Sequence, residues 1–287
     1  FLLYDHPESV DDSIIEEAAS GDAEIDFTDD NGVRHRLFVI DSEKDITRIQ
    51  EMMGDKSCII ADGHHRYETA LNYYRQTQNP QAEYQMLAFA NTSHEGLVVL
   101  ATHRLAAGLD NFDPDVFIEQ LKGDFEISSF PFKDSESRSI ARADMQRVMK
   151  EAFQKQTAAF GLYCANGAFH AAVLSNSDAM DTAAEGMSNA WKSLDVSVLH
   201  KLILERHLGI DEQKLAAQSN LEYVKDTPNA VTDCFRRVDS GEKQAAFIMN
   251  PPRNEQIRSV TDEGEKMPQK STYYYPKVFT GLTIQKL

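Results

Sequence analysis

The chain has 287 residues, 41% of them hydrophobic, with 46 acidic against 29 basic side chains and a formal charge of −17. At ~150 residues per domain that allows one large domain or two, and the negative charge opposes non-specific binding to nucleic acid or anionic lipid while leaving room for a local basic pocket. No run approaches the ~20 apolar residues of a membrane-spanning helix. The start, Phe1-Leu2-Leu3-Tyr4-Asp5, lacks a basic stretch before an apolar one, and Cys58, Cys164 and Cys234 show no C-x-x-C spacing. A cytoplasmic chain with buried reduced thiols is expected, with no membrane and no nucleic-acid partner. The apolar start without an initiator methionine reads as mid-strand, so an upstream segment is expected to be missing.

In chain order, residues 36–40 read as a strand and 45–53 as a helix with Ile46, Ile49 and Met53 on one face. Residues 57–61 form a short apolar strand and 65–76 an amphipathic helix stopped at Asn79-Pro80; 84–90 and 96–101 follow as two strands joined by a polar turn. Asp113-Pro114 has cap and first-turn character before a helix over 116–121, and 139–155 is a long periodic helix. A hairpin is predicted from 160–165 and 168–174 around Asn166-Gly167, a dipeptide that tolerates the positive φ angles of a tight turn. Helices are expected at 178–190, 195–207 and 228–238, then strands at 244–249 and 277–284. The fold class is α+β: a mixed sheet, a helical middle, and C-terminal strands returning to the first sheet.

Residues 59–71 concentrate the chemistry: a buried strand, then Asp62-Gly63-His64-His65-Arg66, then a helix. A helix start presents free N–H groups and partial positive charge, Gly63 allows close backbone approach, and the fork of Arg66 can hold two phosphate oxygens. His64 and His65 could donate or take a proton near neutral pH. The alternative is that Asp62 caps the helix and the other groups are solvated. Lys266 to Lys270, with Ser271 and Thr272, offer two ammonium groups and two hydroxyls beside three tyrosines, suited to phosphate or to Mg²⁺; the alternative is a surface loop, and no Walker loop occurs. His103 and Arg104 end an apolar strand and would face the same anion if residues 98–101 paired beside 59–61. Asp195 reads as a helix cap and His200 as a satisfied core histidine. Zinc spacing is missing, whereas Mg²⁺ needs only one or two carboxylates, of which Asp62 could supply one.

The strings A-D-G-H-H-R-Y-E-T-A and K-M-P-Q-K-S-T-Y-Y-Y-P-K (266–277), with Thr102-His103-Arg104 and Leu194 to His200, resemble the signatures of domain-of-unknown-function family 1015 of bacteria and archaea. More distantly, D-G-H-H-R is similar to the strand-glycine-helix corner of the ParB/sulfiredoxin fold, which includes nucleotide-using partition proteins and kinases of free serine. The resemblance implies that Asp62, His64, His65 and Arg66 line a phosphate site, and catalytic roles are expected for Asp62, His64 and His65. By their own chemistry Gly63, His103, Arg104, Lys270, Ser271 and Thr272 are expected to join Arg66 in binding phosphate. It also implies a histidine-glutamate segment upstream of residue 1 that carries a general base. Glu43 or Asp41 could substitute, although their surroundings read more simply as a helix cap. Three regions are then expected: 1–110 for phosphate binding, 111–240 rich in helix, and 241–287 completing the site.

The function these readings favour is a small-molecule phosphotransferase acting on free L-serine or a similar hydroxylated metabolite, with ATP, ADP or pyrophosphate as donor and Mg²⁺ as cofactor. The alternatives are a non-catalytic nucleotide-binding module of ParB type, and a phosphoester hydrolase using His64 or His65. Fold analogy alone does not choose between them.

Overall fold

The structure, a computed structural model, describes residues 1–7, 10–30, 32–94, 96–217, 219–275 and 277–286. The chain divides into two compact units, Phe1–Val98 with Tyr274–Leu287, and Val99–Tyr273. Its elements are α+β, as the residue patterns predict.

The first unit contains β1 (Leu2–Tyr4), α1 (Val10–Ala19), β2 (Ile25–Thr28), β3 (Arg34–Leu37), α2 (Glu43–Gly54), β4 (Ile59–Ile60), α3 (His64–Thr77) and β5 (Phe89–Asn91). β1 lies in the middle of a mixed sheet, antiparallel to β4 (Leu3↔Ile59) and parallel to β5 (Leu3↔Ala90). The hairpin expected from 84–90 and 96–101 is therefore not formed. Asn91 and Thr92, which read as turn residues, fasten β5 to the end of β1 instead. His6 N–H donates to Asn91 Oδ1 at 3.1 Å, Asn91 Nδ2 donates to His6 O at 2.9 Å, and Thr92 N–H donates to Tyr4 O at 2.8 Å. The strand expected at 36–40 begins earlier and pairs with β2 (Phe27↔His35). The strand expected at 277–284 is replaced by irregular backbone. There Lys277 and Gln285 bond through their side chains, to Asp62 and to Tyr84 O, so the segment is held without a ladder.

The chain leaves this unit through β6 (Val98–Leu100) and returns through β13 (Tyr273–Tyr275). Between them lie β7 (Thr102–Ala106), α4 (Pro114–Leu121), β8 (Phe125–Pro131), α5 (Ser135–Gln154), β9 (Ala159–Tyr163), β10 (Ala168–Leu174), a helical run over 195–208, β11 (Leu221–Lys225), α6 (Ala230–Asp239), β12 (Ala245–Met249) and α7 (Asn254–Asp262). The strands order as β11-β7-β12-β9-β10-β8, every pair antiparallel. β12 thus returns to this sheet, between β7 and β9, and not to that of β4.

Strand alternation explains the layers. Phe160, Leu162, Ala172 and Phe247 pack one face against Phe117, Leu121, Leu199 and Leu202, whereas Leu105, Phe169, Ala171 and Ile248 pack the other against Met145, Met149, Phe235 and Val238. Both faces are buried, so these strands read as nearly unbroken apolar runs. Gly161 lets α5 approach: a Cβ there would stand 2.9 Å from the sulfurs of both Met145 and Met149. Asp113 caps α4 as expected, accepting from the N–H groups of Asp115 and Val116 at 3.0 Å, with Pro114 opening the helix. The β9–β10 hairpin forms, but with a wider loop than the two-residue turn: Tyr163 pairs with Phe169, and the positive φ angles fall at Ala165 and Gly167. Asn166 is occupied elsewhere, donating to Asp115 at 2.9 Å.

Glu222 of β11 ties strand to helix, accepting from Arg237 of α6 at 2.7 and 2.6 Å with Lys243 at 2.7 Å. The Arg237 hydrogen bonds, helped by Lys243, hold its carboxyl down from 4.5 to about 2. A depressed carboxyl contributes stability above its unfolded pKa and loses it as pH falls through the folded value. Because the side chain keeps 42% of its surface exposed, solvent screening limits the contribution to about 1 kcal/mol. Urea unfolding across a pH series is expected to show Glu222→Gln removing part of the acid-linked stability loss between pH 4.5 and about 2.

Candidate functional site

In the first unit, β4 runs into α3 through Asp62 and Gly63. Gly63 takes φ 88°, left-handed backbone that a side chain adopts only with strain, and it serves as the N-cap of α3 without a side-chain cap. The first intrahelical bond runs from Tyr67 N–H to Gly63 O at 2.9 Å, so the amides of His64, His65 and Arg66 precede the helical ladder. Arg66 folds back over the glycine: a Cβ on Gly63 would lie 2.8 Å from Nη2 and 2.9 Å from Nε. Its guanidinium reaches 3.8 Å from Asp62 Oδ2. The Phe1 backbone pins the turn from behind, with Ala61 and Asp62 N–H donating to Phe1 O at 2.9 and 3.2 Å.

Asp62 does not cap the helix. Its Oδ1 accepts from Gly63 N–H at 3.0 Å and its Oδ2 from Lys277 Nζ at 2.7 Å. The Lys277 hydrogen bond, with further help from Arg66, holds the carboxyl below the usual aspartate range. Lys277 escaped the sequence reading, yet it closes the same K-M-P-Q-K-S-T-Y-Y-Y-P-K string whose Lys270 drew attention. Asp62, Gly63, Arg66 and Lys277 line one cleft of about 400 Å³, whose other walls include Tyr67, Met86, Val278 and Phe279. These four walls are 40–62% exposed, an apolar surface open to solvent.

His64 and His65 are exposed on the first turn of α3, and His65 Nδ1 stands 3.6 Å from Glu68. They meet the corner through their backbone amides. Glu43 is the first residue of α2, behind the N-cap Ser42, and Asp41 is exposed in the preceding loop; neither lines the cleft. Among the described residues no group of three or more His, Cys, Asp or Glu is arranged to hold a metal. Both Asp62 oxygens already face hydrogen-bond donors, one of them a cation, so the arrangement does not fit Mg²⁺ on Asp62 unless Lys277 gives way.

The remaining candidates form a different group, in the second unit. Among the described strands β4 pairs with β1 alone, so the expected alignment of 98–101 beside 59–61 does not occur; residues 102–106 pair with β11 and β12. Arg104 is only 1% exposed; it donates to Thr102 O and, at 3.1 Å, to Lys270 O, and lies 5.3 Å over the Tyr223 ring. Burial lowers its pKa to about 10, which leaves it cationic at neutral pH. His103 is buried, accepts from Met249 N–H at 3.2 Å and stands 3.2 Å from Asp226. Ser271 is buried and donates to Pro268 O at 2.6 Å, Thr272 is half-buried, and the Lys270 side chain is exposed. A small cavity of about 20 Å³ is lined by Arg104, Asp195, Asn250 and Ser271. Leu194, not Asp195, is the N-cap there; burial raises the Asp195 carboxyl to about 7. His200 is buried but not satisfied as expected, its Nε2 finding no hydrogen-bond partner among the described residues, and burial lowers its pKa to about 3.

Residues 1–197 match the family model described as Protein of unknown function (DUF1015), and the chain belongs to that family. Among solved structures, a mutant free serine kinase in complex with AMP is 14% identical, with a TM-score of 0.35 over 95% of this chain and 83% of that chain. A conserved hypothetical protein from Pyrococcus furiosus is 16% identical, with a TM-score of 0.34 over 95% of this chain and 85% of its own. A search of curated proteins finds no match. No helix among the described residues is long and apolar enough to cross a membrane.

The Gly63 geometry makes a direct prediction. Gly63→Ala forces a β-carbon into left-handed backbone and displaces the Arg66 guanidinium, at a cost of about 1–2 kcal/mol. Thermal melts should show that loss, while Gly54→Ala, with nothing within 4 Å of an added Cβ, should leave stability within about 0.5 kcal/mol or raise it.

Proposed function

We propose that this protein is a small-molecule phosphotransferase that moves a phosphoryl group from a nucleotide or pyrophosphate to the hydroxyl of free L-serine or a similar metabolite. The observation that carries the reading is the cleft at the strand-glycine-helix corner. There the start of α3, the Arg66 guanidinium and the Lys277 ammonium converge around one carboxylate in a chain that is otherwise strongly acidic. Helix-start amides suit equatorial phosphate oxygens, and the planar guanidinium can span two of them. The choice of acceptor rests on the resemblance to free-serine kinases. The exposed apolar wall of Tyr67, Met86, Val278 and Phe279 favours ATP or ADP over pyrophosphate, because a nucleobase and ribose have apolar surface to place there and pyrophosphate has none.

In this reading the amides of His64, His65 and Arg66, with the Arg66 and Lys277 side chains, neutralise charge on the transferring group. The acceptor oxygen then bonds to phosphorus as the bridging P–O bond of the donor breaks; the shortened donor leaves with the bridging oxygen, and the acceptor's proton passes late in the step to that leaving phosphate or to water. The transition state is loose, so little proton transfer is needed early, and placement with charge stabilisation supplies most of the rate. Asp62, held ionised by Lys277, suits accepting a hydrogen bond from the attacking hydroxyl and aiming it more than removing its proton outright.

Incubation with L-serine and the Mg²⁺ salts of ATP, ADP and pyrophosphate in turn, followed by phosphorus NMR, is expected to yield phosphoserine with a nucleotide donor. No phosphoserine with any of the three removes the proposal. Arg66→Ala should keep the fold, since the side chain is 69% exposed, and lower turnover by roughly 100-fold or more through lost transition-state charge stabilisation.

A further inference from the structure

α5 carries Arg138 and Arg142 one turn apart, a like-charge pair that opposes itself on an isolated helix. α6 presents Thr232, Phe235, Arg236 and Asp239 at matching helical intervals, and both helices cover the same face of the six-stranded sheet. The result is a groove of about 220 Å³ within the second unit, with the buried rings of Phe169 and Phe235 beneath its guanidinium groups. That is an order of magnitude above the ~10–15 Å³ that one water requires. Three guanidinium groups line it against one carboxylate, in a chain whose formal charge is −17.

The three arginines are not equivalent. Arg138 pairs with Asp239 at 2.7 Å and lies over the rings of Phe132, Tyr163 and Phe169 at 5.0–5.6 Å. Arg236 is bound to Asp233, with Nε at 3.1 Å from its carboxylate. Arg142 has no carboxylate partner among the described residues: it donates one N–H to the Thr232 hydroxyl at 2.9 Å and stands 5.6 Å over Phe235. Its remaining N–H groups form an oriented fork with unspent charge, next to the rims of two buried rings. The hydroxyl and the ring hold it in place, which lowers the ordering cost of binding.

We propose that this groove binds a small anion with an aromatic body, an aryl phosphate ester being the simplest case, with its oxyanion on Arg142 and its ring stacked on the outer face of the Arg138 guanidinium, whose inner face covers the buried rings. Binding here is independent of the corner in the first unit. Calorimetry of the full chain with phenyl phosphate at low ionic strength is expected to show saturable binding, weaker with phenol or inorganic phosphate alone. Arg142→Gln should lower the affinity roughly ten-fold or more. Arg66→Ala should leave it unchanged, which separates this groove from the proposed phosphoryl-transfer site. If Arg142→Gln fails the fold check by circular dichroism, Thr232→Val decides, since it keeps the charge but frees its orientation and should weaken binding by a few-fold. No saturable binding to the unaltered chain overturns the proposal. So does equal affinity in the deciding variant, or loss on Arg66→Ala.

Discussion

One residue of left-handed backbone, Gly63, decides where the charged groups of the first unit can stand. With φ at 88° the chain turns sharply from the end of β4 into α3, so Asp62 and Arg66, four positions apart, meet on the same side. The absence of a β-carbon lets the guanidinium lie against the turn itself. A positive group laid over a helix start would be repelled by the partial charge there, and the Asp62 carboxylate beneath offsets that repulsion. Lys277 supplies a second cation to the same carboxylate from 215 residues away. The corner is thus an array of donors around one acceptor.

The second unit handles charge in the opposite manner. Arg104 lies in the sheet with almost no exposure, and it is solvated by the carbonyls of Thr102 and Lys270 and by the face of Tyr223 instead of a carboxylate. Burying an unpaired cation is costly, and here the cost is offset by backbone dipoles. In return the carbonyl of Lys270, at positive φ, is fixed to β7, which ties the loop before β13 to the sheet. Around this cation, His200 and Asp195 are both pushed toward their neutral forms by burial. The charges of the first unit's corner stay partly exposed, whereas the buried charge of the second is held in place by the strands packed over it.

Much of the local architecture was readable from residue types. The N-cap at Asp113, the apolar runs of β9, β10 and β12, the helix after Gly63 and the periodic helix of α5 all depend on neighbours within a few positions. Those interactions act at the range over which sequence patterns are visible. The first sheet was misread because Asn91 and Thr92 have two uses, and a turn pattern does not reveal that Leu2 to Tyr4 competes for the strand beside them. The strand expected at 277–284 does not form for a related reason: Lys277 and the following Gln285 bond through side chains to distant groups, so no backbone ladder is required.

The site was legible in the same uneven way. By itself the sequence determined that a strand, a glycine and a helix start would carry an aspartate and an arginine at one corner, because φ freedom and helix polarity are properties of the residues in place. Only the tertiary structure decided that Lys277 pairs with Asp62, that His64 and His65 stay exposed, and that Arg104 is sealed into the sheet of the second unit. Electrostatic partnership depends on distance in space, and the loops that bring residues 62 and 277 within 2.7 Å leave no periodic trace between them.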